Sequence, residues 1–151
     1  MSIIPVKGLY ETHLNVRDLE RSIAFYRDVI GLEQAFETSD PRLAFFWVGG
    51  RERSMLGLWE SGNIPNVMRL HLAFQATVED VLSTPSKLVA SGLQPLGINE
   101  EPVEEPVVIG WVPCVSIYFN DPDGHLLEYI APLDEPPRPE VGVIPYSEWL
   151  A

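Results

Sequence analysis

The sequence predicts an α+β fold in which two repeated βαβββ modules share one cleft. Three observations predict it. A strand that is apolar on one face and carries a histidine on the other occurs twice, at Glu11-Thr12-His13-Leu14-Asn15-Val16 and at Arg69-Leu70-His71-Leu72-Ala73-Phe74. Each is followed by a helical pattern and then by short strand patterns set off by Gly, Pro, Ser and Asp. Finally, Phe46-Trp47-Val48 through Trp59 aligns without gaps on Ile117-Tyr118-Phe119 through Ile130. Repetition is informative because it fixes which positions are equivalent.

In the first module the opening strand sends Tyr10, Thr12, Leu14 and Val16 one way and Glu11, His13 and Asn15 the other. Asp18 is placed to cap a helix whose apolar stripe is Leu19, Ile23, Tyr26 and Ile30, and Gly31 stands where a C-terminal glycine would end it. Strands are expected near 33–38, 43–48 and 54–60, with turns at Ser39-Asp40-Pro41 and Gly49-Gly50. The pattern restarts at Val67, where Met68, Leu70, Leu72 and Phe74 alternate with Arg69, His71, Ala73 and Gln75. Thr84-Pro85 resembles a cap with proline at the first helical position, and Ser91-Gly92 a stop. Strands are expected near 93–98, 114–119 and 126–131, with the acidic, proline-containing stretch from Asn99 to Gly110 as a loop. From Pro132 the prolines predict an extended tail. The whole, residues 1–151, is expected to be one domain, with modules at about 7–60 and 67–131 and a tail at 132–151.

With 10 Lys and Arg against 22 Asp and Glu, the formal net charge is −12. That sign disfavours nucleic acid and anionic membrane surfaces as partners and leaves a small molecule as the expected one. A single cysteine, Cys114, permits no internal disulfide, and no apolar run is long enough to span a bilayer. A cytoplasmic protein is expected, and a homodimer is compatible with the reading.

His13 and His71 occupy equivalent sites on the polar faces of their strands, so pairing the modules brings them together across the cleft. Glu128 points the same way between Leu126 and Ile130, and a carboxylate in apolar surroundings calls for a strong cationic partner. Two imidazoles and a carboxylate suit a divalent metal. Trp47, Trp59 and Tyr118 share that parity, as do Glu11, Asn15, Gly57 and Arg69, and these residues line the expected substrate cleft. His125 is expected to be solvated in its turn, and Cys114 has no basic neighbour to activate it.

His13-Leu14-Asn15-Val16-Arg17-Asp18-Leu19-Glu20-Arg21-Ser22-Ile23-Ala24-Phe25-Tyr26 with Gly31-Leu32, then His71, then Asp121-Pro122-Asp123-Gly124-His125-Leu126-Leu127-Glu128 resemble the vicinal oxygen chelate superfamily. That superfamily includes glyoxalase I, extradiol dioxygenases, fosfomycin-resistance transferases and bleomycin-resistance proteins. The resemblance implies a cupped mixed sheet and metal ligands at His13, His71 and Glu128, with Glu128 and Tyr118 as catalytic candidates. Mn²⁺ or Fe²⁺ suits this set best, with Zn²⁺ or Ni²⁺ as alternatives. Three protein ligands leave about three octahedral positions for a chelating substrate.

The branches are separated by exclusion. Glyoxalase I uses a fourth ligand at the position the repeat assigns to Gly57, while Glu60 has the opposite parity. Extradiol dioxygenases carry an acid-base histidine where this chain has Ile109-Gly110-Trp111. Fosfomycin transferases need cations for a phosphonate, whereas Glu100, Glu101, Glu104 and Glu105 make the corresponding loop anionic. The expectation is a metal-dependent lyase, isomerase, transferase or oxygenase acting on a small oxygen chelator. The alternative is a non-catalytic binding module of bleomycin-resistance type, which the acidity favours and the intact ligand set disfavours.

Overall fold

The computed structural model describes residues 7–61 and 68–151, so the module start expected at Val67 lies outside the described residues. The chain divides into two compact units, residues 1–68 and 69–151.

In the first unit, strand β1 (Glu11–Val16) leads through Asp18 into helix α1 (Leu19–Ala24), which widens into a π-helical turn over Phe25–Val29. The Asp18 carboxylate accepts the Arg21 N–H at 2.9 Å, the cap the sequence predicts. Gly31, at φ +82°, ends the helical run in the left-handed region open to glycine. Strands β2 (Glu33–Ser39), β3 (Arg42–Val48) and β4 (Ser54–Glu60) complete a sheet of order β1-β4-β3-β2, with β1 parallel to β4. Leu14, Val16, Ala44, Phe46, Leu56 and Leu58 lie on one face and are buried, and α1 packs on β3 and β4 with Leu19, Ile23 and Tyr26 buried. Glu60 belongs to the helix side: it accepts the Leu19 N–H at 3.0 Å and pairs with Arg42. The opposite parity expected for Glu60 is thereby explained, since it caps α1.

The second unit opens with β5 (His71–Gln75) and helix α2 (Val78–Ala90). The helix starts a full two turns before the expected Thr84-Pro85. Thr77 is the cap, its hydroxyl oxygen accepting the Asp80 N–H at 3.1 Å, and Pro85 lies inside the helix. Proline removes a backbone donor there, yet the buried stripe of Val81, Thr84 and Leu88 carries the helix through, and the Thr84 hydroxyl donates to the Asp80 carbonyl at 2.7 Å. The strand expected near 93–98 is reduced to one residue, Leu96, bridged to Tyr118 and Pro102. Pro95 lacks an N–H, and the chain turns at once, Glu100 donating to the Gly97 carbonyl at 3.0 Å. The strand lies instead inside the expected loop, as β6 (Val107–Ile109).

Strands β7 (Cys114–Asn120) and β8 (Leu126–Pro132) follow, and the proline-rich tail returns as β9 (Val143–Pro145) before the short helix α3 (Tyr146–Trp149). The sheet order is β5-β8-β7-β6-β9, so part of the tail covers what would be an open edge of β6. Val115, Ile117, Phe119, Leu127 and Ala131 are buried, and α2 packs on β7 and β8. No helix among the described residues is long and apolar enough to cross a membrane.

Candidate metal and substrate site

Strand alternation and register decide which side chains meet. In the first unit His13 is paired with Gly57, Gly57 with Phe45, and Asn15 with Trp59, so these side chains share one face with Glu11, Met55 and Trp47. The sequence-predicted residues Glu11, His13, Asn15, Trp47, Gly57 and Trp59 therefore do stand on one face. Phe45 belongs with them, its ring edge-on to His13 at 5.5 Å between centroids, and its shared parity with Trp47 was the signal for it.

His13 is held at both nitrogens. The Trp59 indole N–H donates to Nδ1, and Nε2–H donates to the Glu11 carboxylate at 2.5 Å. Because the indole nitrogen is a donor only, this contact fixes the Nε2–H tautomer. Gly57 faces the same ring without leaving room beside it: a Cβ there would lie 3.0 Å from His13 Nδ1 and 2.9 Å from Phe45 Cε1. Gly57 lets two rings close over the backbone, and the place is filled.

Across β5 and β8 the register is different. His71 is paired with Leu126, and Ala73 with Glu128. Asn15 follows His13 by the same two residues as Ala73 follows His71. The first-unit counterpart of Glu128 is thus Trp59, paired with Asn15, and not the Gly57 of the gapless alignment. Each histidine touches the side chain at that counterpart position, Trp59 in one unit and Glu128 in the other.

The second pair has the character of a half-built metal site. His71 Nδ1–H donates to the Leu126 carbonyl at 3.0 Å, which leaves the Nε2 lone pair facing Glu128 Oε2 at 3.0 Å. Two lone pairs at that distance attract when a proton, carried by either group, or a metal ion lies between them. Glu128 is buried, and its Oε1 has no hydrogen-bond partner among the described residues, a costly state for a carboxylate oxygen. His71, by contrast, is half exposed, so the pair is open to solvent on the imidazole side. These are the properties a divalent ion would satisfy. Among the described residues, neither unit by itself gathers three His, Cys, Asp or Glu side chains in a ligating group; the second brings together two.

Tyr118 is paired with Glu128 across β7 and β8, and its ring is 6.0 Å from that of His71. Burial first, and then the Glu128 carboxylate beside it, push its phenol well above the ordinary tyrosine range. It stays a hydrogen-bond donor at neutral pH. Burial, with Glu128 adding to it, also raises the Cys114 thiol, which keeps it an inert core group.

Arg69, expected in the cleft, is fully engaged. Its two terminal nitrogens grip both oxygens of Glu100 at 2.7 and 2.5 Å, one of them also reaches Asn120 Oδ1 at 2.8 Å, and Nε–H donates to the Gly124 carbonyl. Two other acids of the loop have local duties too: Glu101 accepts the Asn99 N–H at 2.9 Å, and Glu105 accepts from Ser147 N–H at 3.0 Å. His125, expected to be solvated, is completely buried. Asp121 Oδ1 accepts its backbone N–H at 2.8 Å and folds the turn back, so that the ring nitrogen Nδ1 accepts the Leu70 N–H at 3.1 Å, one residue before His71.

Known proteins share this arrangement of strands. The chain is 29% identical over 127 residues to the metallothiol transferase FosB of Staphylococcus haemolyticus, covering 82% of each. An integron cassette protein, HFX_CASS4, from the mobile metagenome of the Halifax Harbour sewage outfall has a solved structure that superposes with a TM-score of 0.69 at 33% identity, over 83% of this chain and 99% of that one. The fosfomycin resistance protein FosX of Listeria monocytogenes, solved in complex with Mn(II) and sulfate, superposes with a TM-score of 0.62 at 28% identity, over 87% of this chain and 94% of that one. Residues 8–129 match the Glyoxalase/Bleomycin resistance protein/Dioxygenase superfamily, to which this chain belongs.

Proposed function

We propose that this chain is a divalent-metal-dependent enzyme acting on a small organic molecule that chelates the metal through oxygen atoms, with His13, His71 and Glu128 as the protein ligands. The observation that carries the reading is the His71–Glu128 pair, with its facing lone pairs and its buried, unpartnered Oε1. The similarity to FosX, a protein solved with Mn(II), supports manganese as the ion to test first. When bound, the metal would act as a Lewis acid on an oxygen that gains negative charge.

The remaining work falls to the chain's own residues. Glu128 is held beside His71 by β8, and the Leu126 carbonyl fixes the His71 ring so that Nε2 points at the pair. Tyr118, kept protonated, can donate to a substrate oxygen at this face. Trp47, Phe45 and Trp59 give the first unit an aromatic wall for an organic substrate.

A second reading, a binding module that sequesters its ligand without chemistry, is favoured by one observation: both nitrogens of His13 already have protein partners. Metal titration calorimetry separates the two. Wild-type protein should bind one Mn²⁺ per chain, and His71→Ala and Glu128→Gln should each weaken binding at least tenfold. Undiminished binding in both variants would remove the metalloenzyme reading.

A further inference from the structure

Arg69 and Glu100 form a bidentate fork beside the strands that carry His71 and Glu128: Arg69 reaches Asn120, which is paired with Leu126, and Leu126 is paired with His71. Asn120, which holds Arg69, lies two residues along β7 from Tyr118, which is paired with Glu128. A guanidinium fork of this kind matches any planar or tetrahedral oxyanion, so a carboxylate, phosphate or phosphonate group would fit the position Glu100 occupies. The internal carboxylate has taken the seat of such a ligand.

Two features argue that this is more than an ordinary surface ion pair. Glu100 adopts φ +64°, the left-handed region that disfavours residues with a Cβ, and the fork holds its side chain in place there. Arg69 and Glu100 are also well exposed, at 45% and 38% of their side-chain surface. Pairs so exposed add little to stability, so stability alone is a weak reason for a strained backbone. Arg69 itself is fixed independently of Glu100 by Asn120 and the Gly124 carbonyl, and would remain in position without it.

We propose that Glu100 is a specificity-determining residue that closes an anion subsite at Arg69, so that the neighbouring site takes an uncharged oxygen chelator in preference to an anionic one. The idea rests on the metal-site reading only for the identity of the neighbouring site; the subsite itself needs no metal. Glu100 neutralises the Arg69 charge and occupies its two outward donors, and an incoming anion meets a carboxylate where it would need a cation. This sets the chain apart from relatives named for resistance to fosfomycin, a phosphonate.

The test uses the full chain freed of metal by chelation and gel filtration, with inorganic phosphate as the probe and calorimetry as the readout. Glu100→Gly removes the carboxylate and suits the left-handed backbone, so folding should be retained; Glu100→Gln keeps the volume as a second variant. Both should bind phosphate at least about tenfold more tightly than wild type, the scale of one charge-assisted hydrogen bond. Adding Arg69→Gln should abolish the gain. Equal phosphate affinity in wild type and Glu100→Gly, or a gain that survives Arg69→Gln, would overturn the proposal. Because no metal is present, either result leaves the His71 and Glu128 titrations to be judged separately.

Discussion

The indole N–H of Trp59 donates to Nδ1 of His13 from the strand position that Glu128 holds in the second unit. The two units have thus diverged at one equivalent site, an indole donor in the first and a carboxylate acceptor in the second. The consequence for His13 is chemical. To ligate a metal through Nε2 as a neutral imidazole, its proton must sit on Nδ1, where it would face the Trp59 N–H donor against donor.

Trp59→Phe should therefore tighten Mn²⁺ binding, by about tenfold if the clash costs what an unmade hydrogen bond costs. Titration calorimetry on wild type and variant measures this directly. Weaker binding in the variant would mean that Trp59 supports the ligand set. No change would mean that His13 does not ligate through Nε2.

Strand parity was legible in the sequence and register was not. Alternation placed Glu11, His13, Asn15, Trp47, Gly57 and Trp59 on one face, as observed, because a one-residue slip would have put charged groups in the core. A slip of two residues leaves every side chain on its own face, so the gapless alignment could not tell Gly57 from Trp59 as the counterpart of Glu128. Only the hydrogen bonding of β1 to β4 and of β5 to β8 decides it. Helix α2 was misplaced for a local reason: Thr84-Pro85 carries a stronger helix-start signal than Thr77, and burial of Val81, Thr84 and Leu88 overrides it. The strand Val107–Ile109 was hidden by its acidic and proline-containing flanks, although three β-branched residues in a row were the available signal. The partners of Arg69 and the Leu70 N–H that the His125 ring accepts are distant in sequence, and nothing local announces them.

His125 is the clearest case of such a hidden partner, and its hydrogen bonds lead to His71. Its Nδ1 accepts the Leu70 N–H, Leu126 N–H donates to the Leu70 carbonyl at 2.9 Å, and the Leu126 carbonyl in turn holds His71 Nδ1. His125→Leu would leave the Leu70 N–H unpaired in a partly buried place, at a cost of up to about 1–3 kcal/mol. His125→Asn offers an amide oxygen close to where Nδ1 was. The expected result is a lower melting temperature and weaker Mn²⁺ binding in the leucine variant, with metal affinity recovered in the asparagine variant. If both variants bind metal like wild type while melting early, the ring supports the turn alone and does not position His71.

Tyr118 gives a prediction at alkaline pH. Its phenol is buried, and burial together with the Glu128 carboxylate raises its pKa above the unfolded value of 10.0; burial raises Tyr129 as well. The folded state therefore holds these protons after the unfolded state has released them. Their contribution to stability is fully present below about pH 10 and is lost as the pH climbs from there toward the folded values. Denaturant melts taken from pH 8 to 12 should show stability falling with a slope that steepens past pH 10. Tyr118→Phe removes its proton from this balance, so its slope above pH 10 should be shallower than that of wild type, whatever its stability at pH 8. Absorbance near 295 nm offers an independent check, because the tyrosinates of Tyr118 and Tyr129 should appear with unfolding and not before it. A wild-type slope unchanged by Tyr118→Phe would show that the phenol ionises in the folded protein, and Tyr118 would then be available as a base at the Glu128 face instead of a donor.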